Sequence, residues 1–289
     1  MRPAPGFSNY PRTMSTARIG ETRLPKNFKR YTKQFSLLEL DCEPGNVPGK
    51  ARLQSYAAVA PPGFTFSLLV PSRVASLEAG PEFDKAWKAA SGVARVLRAQ
   101  WWVVRTPAEV RPTRRARESL ASLVARLKEG GMRVAWEPRG VWDEVAAGET
   151  ADAIGAALVQ DVAREVPRPG RVLYSRLLAL GRGGRVSLSL ADVVAERLSH
   201  YEEAFVVVEG QGAREIQQAL GMVLDDAALD AAGDAGDEAG LDDDSTDEEA
   251  GDEGELANGL DTDELDDEPG DDADDDLDDD DLDDADEER

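Results

Sequence analysis

One cysteine and one histidine in 289 residues remove most metal and redox chemistry at the outset. Cys42 alone cannot close an internal disulfide, and a multi-cysteine zinc or iron–sulfur site is excluded with it. His200 leaves a single candidate base for a serine- or cysteine-type triad. No apolar run approaches the ~20 residues that a bilayer-crossing helix needs. The opening Met1-Arg-Pro-Ala-Pro-Gly-Phe7 lacks the apolar stretch of a secretory signal. The expectation is a cytoplasmic protein with no membrane partner, no metal and no cofactor. Residues 1–14 carry no periodicity and are expected to be disordered, with Met14 an alternative start to Met1.

Charge is abundant but divided. The chain carries 33 basic and 58 acidic side chains, a net charge of −25. From Asp225 to Arg289 there are 35 acids and one arginine, a net of −34, which leaves 23 acids, 32 bases and a net of +9 for Met1–Leu224. The segment 225–289 has no aromatic residue and few apolar ones, too little to offset the entropy of ordering, so it is expected to be a disordered acidic tail. Asp261-Thr-Asp263-Glu-Leu265-Asp266 lacks the third ligand and the glycine of a calcium loop. The tail is suited to repelling other copies, to docking a basic protein, or to masking a basic face from nucleic acid.

Within residues 15–224, eight short apolar runs read as strands: Ala17–Gly20, Ser36–Cys42, Phe64–Val70, Trp101–Arg105, Met132–Glu137, Ala156–Asp161, Arg171–Leu177 and Ala204–Val208. Between them, apolar residues recur three or four apart, the spacing of amphipathic helices. Leu24, Phe28, Tyr31 and Phe35 form one such stripe, with Pro25 suited to its first turn. Leu120, Leu123, Val124 and Leu127 form another, stopped by Gly130-Gly131. Ser189 is positioned to cap a helix over Leu190–Tyr201, and Ala213–Leu224 closes the domain. Strands alternating with helices predict a parallel sheet closed as a (β/α)8 TIM-type barrel, with an open doubly wound sheet as the alternative should one strand fail.

The order of these motifs resembles the YecE-like family, the domain of unknown function 72, which has a TIM-barrel-like fold. Ala17-Arg-Ile-Gly20 resembles the opening strand, Leu38-Glu39-Leu40-Asp41 the second, and Pro62-Gly63-Phe64-Thr65-Phe66 the third. Val134-Ala135-Trp136-Glu137-Pro138-Arg139 followed by Trp142 is the most specific match, and Leu173-Tyr174-Ser175-Arg176-Leu177 resembles the seventh strand. Departures accompany the matches. Leu69 stands where the family has lysine, Arg105 where glutamine is usual, and Leu178 where histidine is usual, while Val208-Glu209-Gly210 replaces asparagines. The resemblance implies a divergent member that keeps Glu39, Glu137, Arg139, Trp142 and Arg176.

Barrels place their chemistry at the carboxyl ends of the strands. That rim is expected to carry Glu21, Asp41, Glu43, Arg73, Arg105, Glu137, Arg139, Asp161, Arg176 and Glu209. Glu137 is the candidate acid/base, and Arg139 with Arg176 the candidate grip on a carboxylate or phosphate. The competing reading has Glu137 paired with these arginines and the mouth closed. Gly181-Arg182-Gly-Gly-Arg185 and Gly210-Gln-Gly212-Ala-Arg214 are candidate anion loops after the last two strands. Arg111, Arg114, Arg115 and Arg117 crowd a helix start behind Thr113, where the dipole disfavours cations; nucleic acid, an acidic partner or plain solvation each accounts for them. The leading expectation is a binding module for a small anion with little or no catalysis. The alternatives are an enzyme acting on a phosphorylated or carboxylated molecule through Glu137, and a nucleic-acid-associated protein inhibited by its own tail.

Overall fold

Eight strands hydrogen-bond in chain order, and the last pairs with the first, so the sheet has no edge. They are β1 (Thr16–Glu21), β2 (Leu37–Asp41), β3 (Thr65–Leu69), β4 (Trp101–Thr106), β5 (Arg133–Pro138), β6 (Ala157–Gln160), β7 (Val172–Leu177) and β8 (Glu203–Val208). All pairings are parallel. The computed structural model describes residues 16–178, 187–209 and 212–234. Each strand expected from an apolar run is present, because a parallel strand is buried on both faces and reads as near-continuous apolar sequence. The barrel closes, which decides against an open sheet.

The helical layer consists of α1 (Phe28–Tyr31), α2 (Lys50–Val59), α3 (Ser72–Ala75), α4 (Pro81–Leu97), α5 (Arg114–Lys128), α6 (Glu144–Ile154), α7 (Leu188–Leu198) and α8 (Ala213–Asp234). Three differ from the sequence expectation. Pro25 lies before α1 rather than in its first turn: Asn27 caps the helix by accepting from Arg30 N–H, and the Pro25 carbonyl accepts instead from Arg52 and Tyr56. Ser187, not Ser189, caps α7 through the Leu190 N–H; two serines within half a turn offered the same chemistry, and the helix starts earlier. The last helix runs on to Asp234 instead of stopping at Leu224. Four alanines, Ala227, Ala228, Ala231 and Ala232, give its extension the strongest available helix propensity. The remaining acidic segment lies outside the described residues. No helix among them is long and apolar enough to cross a membrane.

Strand alternation divides the core in two. Leu38, Leu40, Trp102, Val104, Trp136 and Leu177 face the helices. Leu37, Trp101, Val103, Ala135, Tyr174, Phe205 and Val207 fill the barrel interior. Trp101 and Trp102 therefore separate into the two cores as neighbouring strand residues must. The interior is layered. At its lower end the Arg133 guanidinium lies 4.4 Å from the Trp101 ring centroid and pairs with Glu203 at 2.8 Å. Above comes the apolar layer, and above that the strand residues turn polar.

One close approach depends on glycine. A β-carbon at Gly20 would stand 1.8 Å from the Leu37 carbonyl oxygen. Beside it the Tyr31 hydroxyl donates to that carbonyl at 2.7 Å and accepts from the Glu21 N–H at 2.9 Å, bridging β1 and β2.

Candidate functional site

The polar upper layer follows from the two-residue period of the strands. Glu39 is two positions beyond Leu37, Arg105 two beyond Val103, Glu137 two beyond Ala135, Arg176 two beyond Tyr174, and Glu209 two beyond Val207. Each of these predecessors faces the interior, so the charged residues converge on the barrel mouth. Register also sets Arg105 directly opposite Glu137.

Arg176 is the hub, with its side chain only 2% exposed. Its Nη2 donates to Glu39 Oε1, and its Nη1 donates to Glu209 Oε1 at 2.7 Å. Its Nε stands 3.0 Å from Glu137 Oε2, at an angle that makes an ion-pair contact rather than a hydrogen bond. Arg105 donates to Glu137 Oε2 at 2.9 Å and to Glu209 Oε1 at 3.3 Å. Arg139, 47% exposed, reaches Glu137 Oε1 at 3.2 Å. On the deep side Tyr174 donates to Glu39 Oε2 at 2.8 Å. Since that uses the tyrosine's proton, the Ser67 hydroxyl 2.6 Å away donates to Tyr174 in turn.

The cluster balances three arginines against three glutamates. Burial alone would raise the Glu137 carboxyl, but Arg176, Arg105 and Arg139 together hold it below its ordinary value. Burial would lower the Arg176 guanidinium; Glu39 and Glu137 reverse that and raise it. Tyr174 is pushed well above the usual phenol range, first by burial and then by the Glu39 carboxylate. These effects favour an ionised Glu137, a cationic Arg176 and a neutral Tyr174.

Four expected site residues thus come together: Glu39, Glu137, Arg139 and Arg176, with Arg105 and Glu209 from the wider rim. Trp142 does not join them. Its indole N–H donates to the Val110 carbonyl at 2.7 Å, and its ring packs edge-on against Trp136 with centroids 4.8 Å apart. Arg214, exposed at the start of α8, donates to Gln34 at 2.8 Å. Gly212, at a φ of 129°, lies at the same helix start. Arg182, Arg185 and Gly210 lie outside the described residues. Asp41 receives the Glu43 N–H and the Asn46 amide, and Asp161 pairs with Arg164 at 3.3 Å; both serve their own turns. Tyr174 and Ser67 were missed as site residues, although alternation from Arg176 marks Tyr174 as facing inward.

Cys42 is buried, and burial, Asp41 and Glu39 push its thiol up to about 12. Thr113 caps α5 as expected, accepting from Ala116 N–H. Of the arginines behind it, Arg114 pairs with Glu118 at 2.7 Å and Arg117 lies over Trp142 at 5.8 Å. Arg111 and Arg115 line an open depression of about 710 Å3 that also exposes Glu78 and Glu109, so its charge is mixed. Among the described residues no three His, Cys, Asp or Glu side chains converge as a metal site.

Fold and rim define a closed parallel (β/α)8 barrel whose mouth is filled by a charge-balanced network. No family model and no curated protein matches the chain. Among solved structures it is similar to a DUF72 family protein of Enterococcus faecalis, with a TM-score of 0.57 and 16% identity over 74% of this chain and 99% of that one. A second structure of that protein gives 0.56 and 15%, covering 71% and 96% of the two chains. A DUF72 family protein of Thermotoga maritima gives 0.51 and 18%, covering 72% and 99%. At these identities the likeness is one of fold: the described residues form a parallel barrel similar to those of the DUF72 family proteins, the fold that the motif order implied.

Proposed function

We propose that the barrel is a non-catalytic binding module for an anionic ligand, taken at the mouth by Arg105, Arg139 and Arg176. The observation that carries this reading is the position of Glu209. Its Oε1 sits between Arg176 Nη1 at 2.7 Å and Arg105 Nη2 at 3.3 Å, and at 34% it is the most exposed of the three glutamates. It occupies the fork as a ligand's carboxylate or phosphate oxygen would. An incoming anion displaces Glu209 and inherits both guanidiniums, with Arg139 at the outer edge to meet a second oxygen.

The depressed carboxyl of Glu137 argues against acid catalysis. A general acid at neutral pH needs a raised pKa, and a carboxylate held by three arginines is a weakened base.

Thermal melts of the full chain in inorganic phosphate and in succinate test the reading, since a ligand bound only by the folded state raises the melting temperature. Glu209→Gln removes the internal competitor and should enlarge the shift. Arg105→Ala should abolish it. Absence of any anion-dependent shift in both the parent and Glu209→Gln refutes the proposal.

A further inference from the structure

A second recess lies at the other end of the barrel, where the ends of α4 and α5 meet the beginnings of β4 and β5. It encloses about 350 Å3, and its lining includes Trp87, Trp102, Ser91, Arg95, Arg98 and Arg126. We propose that it binds a small organic anion with a flat apolar body. The body packs against the Trp87 indole, and the anionic head meets the three guanidiniums.

Charge supplies the first support. Arg126 is held in place by its aromatic neighbours, its guanidinium 5.1 Å from the Trp87 ring centroid and 5.6 Å from that of Phe83. Its carboxylate neighbour, Asp84, stands 4.0 Å off. No carboxylate among the described residues pairs with Arg95 or Arg98. Helix ends account for part of this, because cations are favoured at the C-termini of α4 and α5. Two such ends contribute only about half a negative charge each, so three arginines leave the recess positive.

The helix ends do not account for the other two observations. Arg98, the C-cap of α4, has a φ of 51° in the left-handed region. Glycine fills that conformation at least cost, yet the position carries a long cationic side chain lining the recess. Ser91 Oγ is buried and has no hydrogen-bond partner. A helical serine ordinarily bonds back to the preceding turn or to water; this one is left as an open donor at the recess wall. Trp87, part-exposed and backed by the buried Trp102 with ring centroids 5.4 Å apart, supplies the apolar surface. The volume is at the small end of the range for ligand sites, ~300–1,000 Å3, and fits a body of about two fused rings.

Calorimetric titration of the full chain with 1-naphthyl phosphate tests this, with 1-naphthol and inorganic phosphate as the body and head alone. Saturable binding of 1-naphthyl phosphate, tighter than either fragment, is expected. Arg98→Gly should lower its affinity about tenfold, as loss of a charge-assisted hydrogen bond does, while raising the melting temperature by relieving the left-handed backbone. Ser91→Ala should weaken binding with no loss of stability. Absence of saturable binding by the parent, or unaltered affinity in either variant, overturns the proposal.

Discussion

Arg176→Met is the sharpest perturbation of the barrel mouth. The arginine contacts Glu39, Glu137 and Glu209, but the three do not lose equally. Glu137 keeps Arg105 at 2.9 Å and Arg139 at 3.2 Å, and Glu209 keeps Arg105 at 3.3 Å. Glu39, 2% exposed, keeps only the Tyr174 hydroxyl. The cost therefore concentrates on one buried carboxylate with no counter-charge, a situation that destabilises by about 3–5 kcal/mol. For a domain of this size that lowers the melting temperature by about 6–20 °C. Glu39→Gln added to Arg176→Met removes the stranded charge, keeps an acceptor for Tyr174 and leaves two arginines against two glutamates. The double variant should recover most of the loss, so that a double-mutant cycle in urea returns a coupling of at least about 2 kcal/mol. Additive single effects, agreeing within about 0.5 kcal/mol, would refute the idea that Glu39 depends on Arg176.

Other expectations follow from single contacts. Gly20→Ala drives a β-carbon to 1.8 Å from the Leu37 carbonyl and should cost about 3 kcal/mol or more, as overpacking at the limit does; a melt equal to the parent's would refute it. Cys42, its thiol pushed up to about 12 by burial and neighbouring carboxylates, should resist a disulfide reagent in the native chain and react promptly in denaturant. Glu137 has a folded pKa below its ordinary 4.5, so its stabilising share is complete above that value and is lost as pH falls through the folded one. Glu137→Gln should flatten the acid limb of the stability curve, and melts across the acidic range will read the slope. Thr113→Ala, which removes the α5 cap, should cost about 1 kcal/mol by denaturant unfolding.

The eight strands were legible because the barrel buries both faces of each, and runs such as Ala204–Val208 have no other use. Helix starts were less so. Ser187 and Ser189 present the same hydroxyl, and nothing local chooses between them; Pro25 is acceptable in a first turn, but Asn27 caps α1 two residues later and the Pro25 carbonyl accepts from Arg52 and Tyr56 of α2. The length of α8 was hidden by the acids around its alanines.

The site shows the same division between what one strand decides and what several decide. Alternation within a strand is enough to send Glu39, Arg105, Glu137, Arg176 and Glu209 to the mouth. Which of them pair is decided between strands, and only the contact of Arg105 with Glu137 comes from adjacent ones in register. Arg176 meets Glu209 just past the adjacent β8 and Arg139 meets Glu137 two residues away, but others cross the barrel: Arg176 on β7 meets Glu39 on β2, and Tyr174 on β7 meets Ser67 on β3. Such pairs exist only once the sheet has closed, and no local spacing encodes them. A residue such as Glu209 therefore has two readings until closure is known, as an exposed carboxylate beside a loop or as the occupant of an arginine fork. Closure puts Arg105 and Arg176 on either side of it, which is why an anion-binding test that substitutes Glu209 separates a sealed plug from a site holding its own competitor.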